Sequence, residues 1–548
     1  MVEREALGDE GDKAFFTGLL LIRLVGHRRV QGQSRELVHL LVVEEAHRPL
    51  ENLPASHRRS GAEGCWPCHV TRRAAADRES AIRPGGAVEI SLARHLQAAI
   101  DAMSCFLRVQ FTGARPPQPD LKEGRMSRRM PKRGLITLVA VGLASSVMST
   151  ATASTAGSPL TLAVFGDSPY GRSAYAPAGQ TADTSQFQKT PAFIGTINSD
   201  PTVSDVIHVG DIHSGKEFCT DGYDASIASA WQSFTKPLVY TPGDNEWSDC
   251  HKASSLTSPG QGGGFYDSAS GAINYIGTNG LSTNTADCVS YHCGNPLDNL
   301  AKVRQDFFAQ PGHTLGSGTL NVVSQATAYD PSHPGDAQYV ENVMWAQNDI
   351  VFVTVNVPGG SNNDTDPWYK VPTATQAQTD ERTNRTAADV RWLDAAFATA
   401  QAKHAKAVVI TAQADMWDLD GKTKDHLTNY EPIISEVAAK TIEFGRPVLM
   451  LNGDSHLYRS DNPLSPTGTC TGETDPATGA GVCAHDPDNN AWNEHPYYNV
   501  PNFHRIVVHG STTPLEWLKL TADPNANYAV SDTTYGPFSW QRMPQPQL

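Results

Sequence analysis

The stretch "YTPGDNEWSDC" (240–250) ends an apolar run in Gly243-Asp244 and sets Asn245, Glu246 and Ser248 behind it. The same short design appears three more times: "LAVFGDS" (162–168), "VIHVGDI" (206–212) and "LMLNGDS" (449–455). In each, a leucine-rich or β-branched run, the composition of a strand, stops at Gly-Asp. Three further Gly-Asp pairs, at 8, 11 and 335, follow no such run. A single Gly-Asp after a strand is ordinary turn chemistry. Four carboxylates delivered by four strand ends point instead to one shared polar site.

The chain has 548 residues, and its first part does not read as a domain. Residues 1–125 carry 16 Arg against 2 Lys and show no sustained periodicity beyond pieces such as "FFTGLLLIRLV", so they are expected to be largely disordered. From Met126, "MSRRMPKRGLITLVAVGLASSVMSTATASTAGS" has a basic start, a short apolar stretch and an A-x-A pattern near Ala151–Ala153, which reads as a signal peptide over 126–156. Its position implies that translation starts at Met126 or Met130, with 1–125 a non-native extension. The competing reading is a single membrane anchor, but the apolar stretch is short of the ~20 residues a span needs. The expected product is secreted or extracytoplasmic, with no stable membrane anchor in its mature form.

Residues 157–548 hold 21 Lys and Arg against 42 Asp and Glu. So acidic a body repels polyanions, and nucleic acid is not an expected partner. Its six cysteines (219, 250, 288, 293, 470 and 483) suit an oxidising compartment. Proximity along the chain suggests Cys219–Cys250, Cys288–Cys293 and Cys470–Cys483, one of fifteen possible sets.

A strand at 160–165, a helix around "TPAFIGTIN", a strand at 204–209, a helix near 224–234 and a strand at 237–241 form a β-α-β-α-β order. That order predicts parallel strands with a crevice at their carboxyl ends. Residues 251–296, rich in Gly, Ser, Asn and Thr, read as an insertion over the site. Then follow a helix at 297–310, a hairpin at 338–357, a long helix at 383–406, a strand at 407–413, a helix at 432–444 and a strand at 448–454. Two late strands, "HRIVVHG" and "LEWLKLTAD", complete one α/β domain.

Asp167, Asp211, Asp244 and Asp454 at neighbouring strand ends would raise one another's pKa unless a cation intervened. His456, two residues past Asp454, adds a nitrogen donor. The order "FGDSPY … VGDIHSG … PGDNEW … TAQADMW … NGDSHLY" resembles the calcineurin-like metallophosphoesterases over about 160–510. The resemblance implies a four-layer α/β/β/α sandwich with two mixed sheets, a cation pair and a phosphoester substrate, small or on a surface. It makes Asp167 the first ligand, Asp211 the bridging carboxylate and His456 the second histidine of the last motif.

Departures from the family pattern are several. Pro169 stands in place of a ligating His, Asp244 in place of Asn, Asn245 in place of the substrate-facing His, Gln413 in place of the lone His, and Asp454 in place of the first His of Gly-His-x-His. Three of these replacements, Asp244, Gln413 and Asp454, are oxygen donors, which suits Mn²⁺, Mg²⁺ or Ca²⁺ better than zinc or iron.

The expected ligand set is therefore Asp167, Asp211, Asp244, Gln413, Asp454 and His456, with Asp415 in reserve. Asn245 is expected to face the substrate and His213 to serve as the acid. His208 and Trp247 read as structural, and "PGGSNND" (358–364) reads as a turn more than a source of substrate contacts. The implied activity is hydrolysis by a metal-activated water. The rival reading is an inactive, metal-stabilised binding protein on the same fold, favoured by Pro169 and Gln413 and opposed by Asp167, Asp211 and His456. A serine hydrolase is unsupported, since no G-x-S-x-G elbow follows a strand.

Overall fold

The computed structural model describes residues 18–30, 33–45, 157–171, 185–215, 217–253, 262–277, 280–288, 291–363, 366–419, 424–486, 489 and 491–546. The signal-like segment 126–156 lies outside the described residues. The chain divides into two units, 1–143 and 144–548. In the first, β1 (Gly18–Val30) and β2 (Gln33–Glu45) pair antiparallel from Gly18 opposite Glu45 to Val30 opposite Gln33. Regular structure thus occurs in a segment where no sustained periodicity was read: the unbroken apolar pieces "LLLI" and "LLVV" pair with each other.

The second unit opens with β3 (Leu160–Phe165), β4 (Val203–His208) and β5 (Leu238–Tyr240), mutually parallel as expected. The crossovers are α1 (Ser185–Ser199) and α2 (Asp221–Trp231), and the Thr220 side chain caps α2 by accepting from the Tyr223 amide. The 251–296 insertion contains a small antiparallel sheet of β6 (Gly264–Asp267), β7 (Ala272–Gly277) and β8 (Gly280–Ser282). Helix α3 (Pro296–Phe307) follows, capped by Asn295.

Strands β9 (Val323–Ser324), β10 (Val343–Gln347) and β11 (Ile350–Thr354) start the second large sheet. The β10–β11 turn is Asn348-Asp349, both left-handed, as a two-residue hairpin requires. Helix α4 runs from Gln376 to Ala402, seven residues earlier than the expected start, because Thr375 supplies the cap by accepting from the Gln378 amide. Next come β12 (Ala407–Thr411), α5 (Glu431–Phe444) ending at left-handed Gly445, β13 (Val448–Asn452), β14 (Arg459–Asp461), β15 (Cys470–Gly472) and β16 (Phe503–Val507). Finally β17 (Trp517–Ala522), β18 (Tyr528–Ser531), β19 (Thr534–Gly536) and β20 (Phe538–Met543) return to the first sheet.

The sheet orders are β15-β14-β16-β13-β12-β11-β10-β9 and β18-β19-β20-β17-β3-β4-β5. Both are mixed: β11, β12, β13 and β16 are parallel, whereas β17 runs antiparallel to β3. Alternation along the strands separates the faces. Leu162 and Val164 of one sheet meet Phe352, Val409 and Leu451 of the other in a common inner core. Ala163 and Phe165 turn outward onto α1, α2 and α3, while Val351, Val408 and Met450 turn outward onto α4 and α5. The result is the α/β/β/α sandwich expected from the resemblance. Among the described residues no helix is long and apolar enough to cross a membrane.

All three expected disulfides are present: Cys219–Cys250, Cys288–Cys293 and Cys470–Cys483. The first ties the Asp211 loop to the Asp244 loop, and the second anchors the insertion in a cluster with Phe218, Ile276 and Tyr291.

Candidate metal centre

Asp167, Asp211 and Asp244 follow β3, β4 and β5, and Asp454 follows β13 on the facing sheet. Asp167, Asp211, Asp454 and His456 all have left-handed backbones, with φ of 48°, 61°, 76° and 64°. Such conformations cost free energy in non-glycine residues and persist where surroundings over-determine them. The glycines make the convergence possible. A Cβ on Gly243 would stand 1.9 Å from Asp211 Oδ1, and one on Gly453 would stand 2.2 Å from Asp167 Oδ2. Gly243 and Gly453 thus each clear space for another pair's carboxylate, while Gly166 and Gly210 make room for Val209 and Gln413, so all four pairs combine a carboxylate with a close approach of neighbouring chain.

Two trios of donors form, each with ligand atoms within 4.8 Å of one another: Asp167, Asp211 and His456, and Asp211, Asp244 and Asp454. Asp211 is common to both, the geometry of a bridging carboxylate. His456 Nε2 lies 3.4 Å from Asp167 Oδ1, and Ser511 Oγ lies 2.6 Å from its Nδ1, fixing the ring from behind.

The site is electrostatically loaded. Burial first, then the charges of Asp244, Glu246, Asp167 and Asp454, push the Asp211 carboxyl well above the usual range. Asp244 is pushed up to about 7 by burial and by Asp249. Asp454 is raised by burial and by Asp244. Asp167 is fully buried, and its Oδ2 has no hydrogen-bond partner among the described residues. An orphaned carboxylate oxygen inside a ring of acids fits a cation, and the oxygen-rich donor set fits a hard one.

The remaining expected residues sit as follows. Asn245 Nδ2 donates to Asp211 Oδ2 at 2.8 Å, and its backbone N–H donates to Oδ1 at 3.3 Å, so it braces the carboxylate shared by the two trios. Gln413 Nε2 donates to Asp244 Oδ1 at 3.0 Å, while its Oε1 accepts from the Gly359 amide. In this orientation Gln413 braces Asp244 with its amide nitrogen and turns its oxygen to the Gly359 amide. His213 is fully buried with Nε2 2.7 Å from Asp224 Oδ1 and its ring against Tyr223, and none of its hydrogen bonds reaches the two trios. Asp415 faces Arg459 and Arg505; burial opposes its charge, but the two guanidiniums outweigh burial and hold its carboxyl below the usual range. Its backbone N–H donates to Asp454 Oδ2 at 3.0 Å.

His208 and Trp247 are fully buried, as expected of structural residues, with His208 Nε2 2.9 Å from the Ser168 carbonyl oxygen. "PGGSNND" is less simple than a turn. Gly360, Ser361, Asn362 and Asn363 are consecutively left-handed, with Ser361 and Asn362 fully buried.

Sequence reasoning missed Tyr170. Its hydroxyl donates to Asp211 Oδ2 at 3.0 Å and lies 3.3 Å from His456 Nε2, placing a protic group between the two ends of the first trio. Burial, then Asp211, Asp167 and Asp244, keep it a neutral phenol. The only available signal was an aromatic three residues after Asp167.

No family model matches the chain, and no curated protein matches it. Among solved structures, it is similar to a purple acid phosphatase from yellow lupin (Lupinus luteus) seeds, at 13% identity and a TM-score of 0.29. The alignment covers 67% of this chain and 50% of that one, so this chain spans half the length of that structure.

Proposed function

We propose that residues 157–548 form a secreted, metal-dependent phosphoesterase-like hydrolase that holds two divalent cations, Mn²⁺, Mg²⁺ or Ca²⁺ in preference to Zn²⁺ or Fe. The observation that carries this reading is the pair of donor trios sharing Asp211, with a buried, unpartnered oxygen on Asp167. Asp167 and His456 would hold the first cation, Asp244 and Asp454 the second, and Asp211 both. Bound there, the cations supply Lewis-acid polarisation of a phosphoryl oxygen and an acidified water.

The chain's own residues orient and protonate. Asn245 fixes the rotation of Asp211 through two hydrogen bonds and Gln413 fixes Asp244 through one. Tyr170 presents a hydroxyl proton at the Asp211–His456 edge and is the acid candidate within reach of the first trio, whereas His213 is paired with Asp224, outside both trios. The substrate is a small-molecule or surface phosphoester; the acidic body argues against nucleic acid. Three disulfides in the chain accord with an extracytoplasmic location.

One observation favours the rival reading, a metal-stabilised binding protein. Gln413 has its oxygen committed to Gly359, leaving the second position fewer donors than the first motif order implies.

The test is metal content by plasma mass spectrometry of the domain loaded with Mn²⁺ and dialysed, compared with Asp211→Asn, followed by assays on p-nitrophenyl phosphate and its bis-ester. About two equivalents, lost in the variant, with turnover of either ester, are the expected result. Metal binding without turnover selects the binding protein, and a folded protein that takes no metal overturns both.

A further inference from the structure

Helix α4 carries Arg385 fully buried, in a stretch ("TDERTNRT") whose composition suggests a solvated face. A buried guanidinium is retained only if paired and hydrogen-bonded, and this one uses every side of its fork. Nε donates to Glu381 Oε1 at 2.6 Å, and Nη1 lies 3.8 Å from Asp389 Oδ2. Nη1 also donates to the Asn356 carbonyl at 2.9 Å and to Asn362 Oδ1 at 2.7 Å, and Nη2 donates to the Asn362 carbonyl at 3.3 Å. Its Cζ lies 5.5 Å from the centroid of the Trp247 ring.

Those contacts reach the two walls of one cation position. Asn362 belongs to the left-handed run 360–363, a conformation that costs free energy in non-glycine residues. At the head of that run, the Gly359 amide donates to Gln413, which in turn donates to Asp244. Gly359 also lies so close to the carboxylates that a Cβ there would stand 2.6 Å from Asp454 Oδ1 and 2.9 Å from Asp244 Oδ2. Trp247 is in the other wall, its amide donating to the Asp244 carbonyl at 3.2 Å. One side chain therefore holds the strained turn and the Asp244 loop in register. With Glu381 and Asp389 beside it, the arginine's charge is answered locally, so it acts through geometry.

We propose that Arg385 is a positioning residue for the Asp211–Asp244–Asp454 cation position, acting through Asn362 on the Gly359 turn and through Trp247 on the Asp244 loop. This inference rests on the two-cation reading above. It requires the planar fork of arginine, because an ammonium cannot meet Glu381, Asn356 and both oxygens of Asn362 together.

The test measures Mn²⁺ stoichiometry and affinity by equilibrium dialysis in the wild type, Arg385→Lys and Asn362→Gly, with folding followed by circular dichroism. Glycine tolerates the φ of 56° at position 362, so the second variant removes the side-chain tie and leaves the turn allowed. The expected result is one equivalent bound as in wild type and the other weakened about 10–100-fold in both folded variants, with lysine failing to rescue. If Arg385→Lys does not fold, Asn362→Gly decides alone. Two wild-type equivalents retained in the variants, or an equal weakening of both equivalents, overturns the inference and leaves the two-cation reading standing. A wild type that binds no Mn²⁺ overturns that reading itself and takes the inference with it.

Discussion

Asp244 is penalised in its charged form by burial and by Asp249, and it in turn opposes the charges of Asp211 and Asp454. In metal-free protein these terms act against folding; with a cation bound they reverse, because each carboxylate then gains a partner. Asp244→Asn is therefore expected to raise the Tm by about 2 °C or more in EDTA and to lower it relative to wild type in saturating Mn²⁺. Differential scanning calorimetry in the two buffers checks this, and a change of the same sign in both removes the argument for a cation at Asp244. Tyr170→Phe tests the other trio, since it removes one hydrogen bond to Asp211 while keeping the ring. A loss of about 10-fold in kcat with folding unchanged is expected, the scale of a hydrogen bond to a charged group. At this scale the sequence was legible where chemistry repeats: four Gly-Asp pairs announced Asp167, Asp211, Asp244 and Asp454. It was not legible where a residue acts once. Tyr170 carries no pattern, and Arg385 sits among polar neighbours that conceal its burial.

Strand ends are the elements that make the centre. Because Gly243 passes Asp211 so closely, Gly243→Ala would drive a methyl group to 1.9 Å from Oδ1, a separation that forces one loop to move. We expect the variant to keep its far-ultraviolet spectrum and to lose Mn²⁺ binding by about 100-fold or more, consistent with a disturbed ligand pair. Titration calorimetry reads this directly, and wild-type affinity in the variant would mean that Asp211 is no bridging ligand. Parallel elements such as "LTLAVF" and "VLMLN" were readable because they are largely apolar runs buried on both faces. Helix α4 was misplaced at its start because "QAQTDERTN" shows no apolar stripe, so nothing in the pattern ties the cap at Thr375 to the apolar face that begins further on. The edge strand β18 and its neighbour β19 were missed for a related reason: they are short, and β18 is exposed throughout.

Across the whole molecule, packing two sheets on a common core and under helices buries polar groups that belong to neither donor trio, and two histidines report on that. His208 lies in the outer core of the first sheet against Phe165 and Trp231. His504 of β16 lies against Tyr535 and Trp540 of the facing sheet, with Nε2 2.8 Å from Ser460 Oγ. Burial pushes both down to about 4. Each stays neutral in the folded protein while its unfolded counterpart binds a proton below about 6.5. Stability is therefore fully present above pH 6.5 and is lost as pH falls toward 4, by roughly 3 kcal/mol for each histidine at the lower end. The raised carboxylates of the metal-free centre oppose this trend, so the comparison is made between variants. His504→Gln, which gives up ring stacking, is expected to be about 1 kcal/mol less stable than wild type at pH 7.5. Because glutamine takes up no proton, the deficit should shrink below pH 6.5 and reverse by pH 4.5. Urea unfolding of both proteins at the two pH values reads the crossover. A deficit that is the same at both would mean that His504 titrates normally, and that the interface between the sheets admits water at β16.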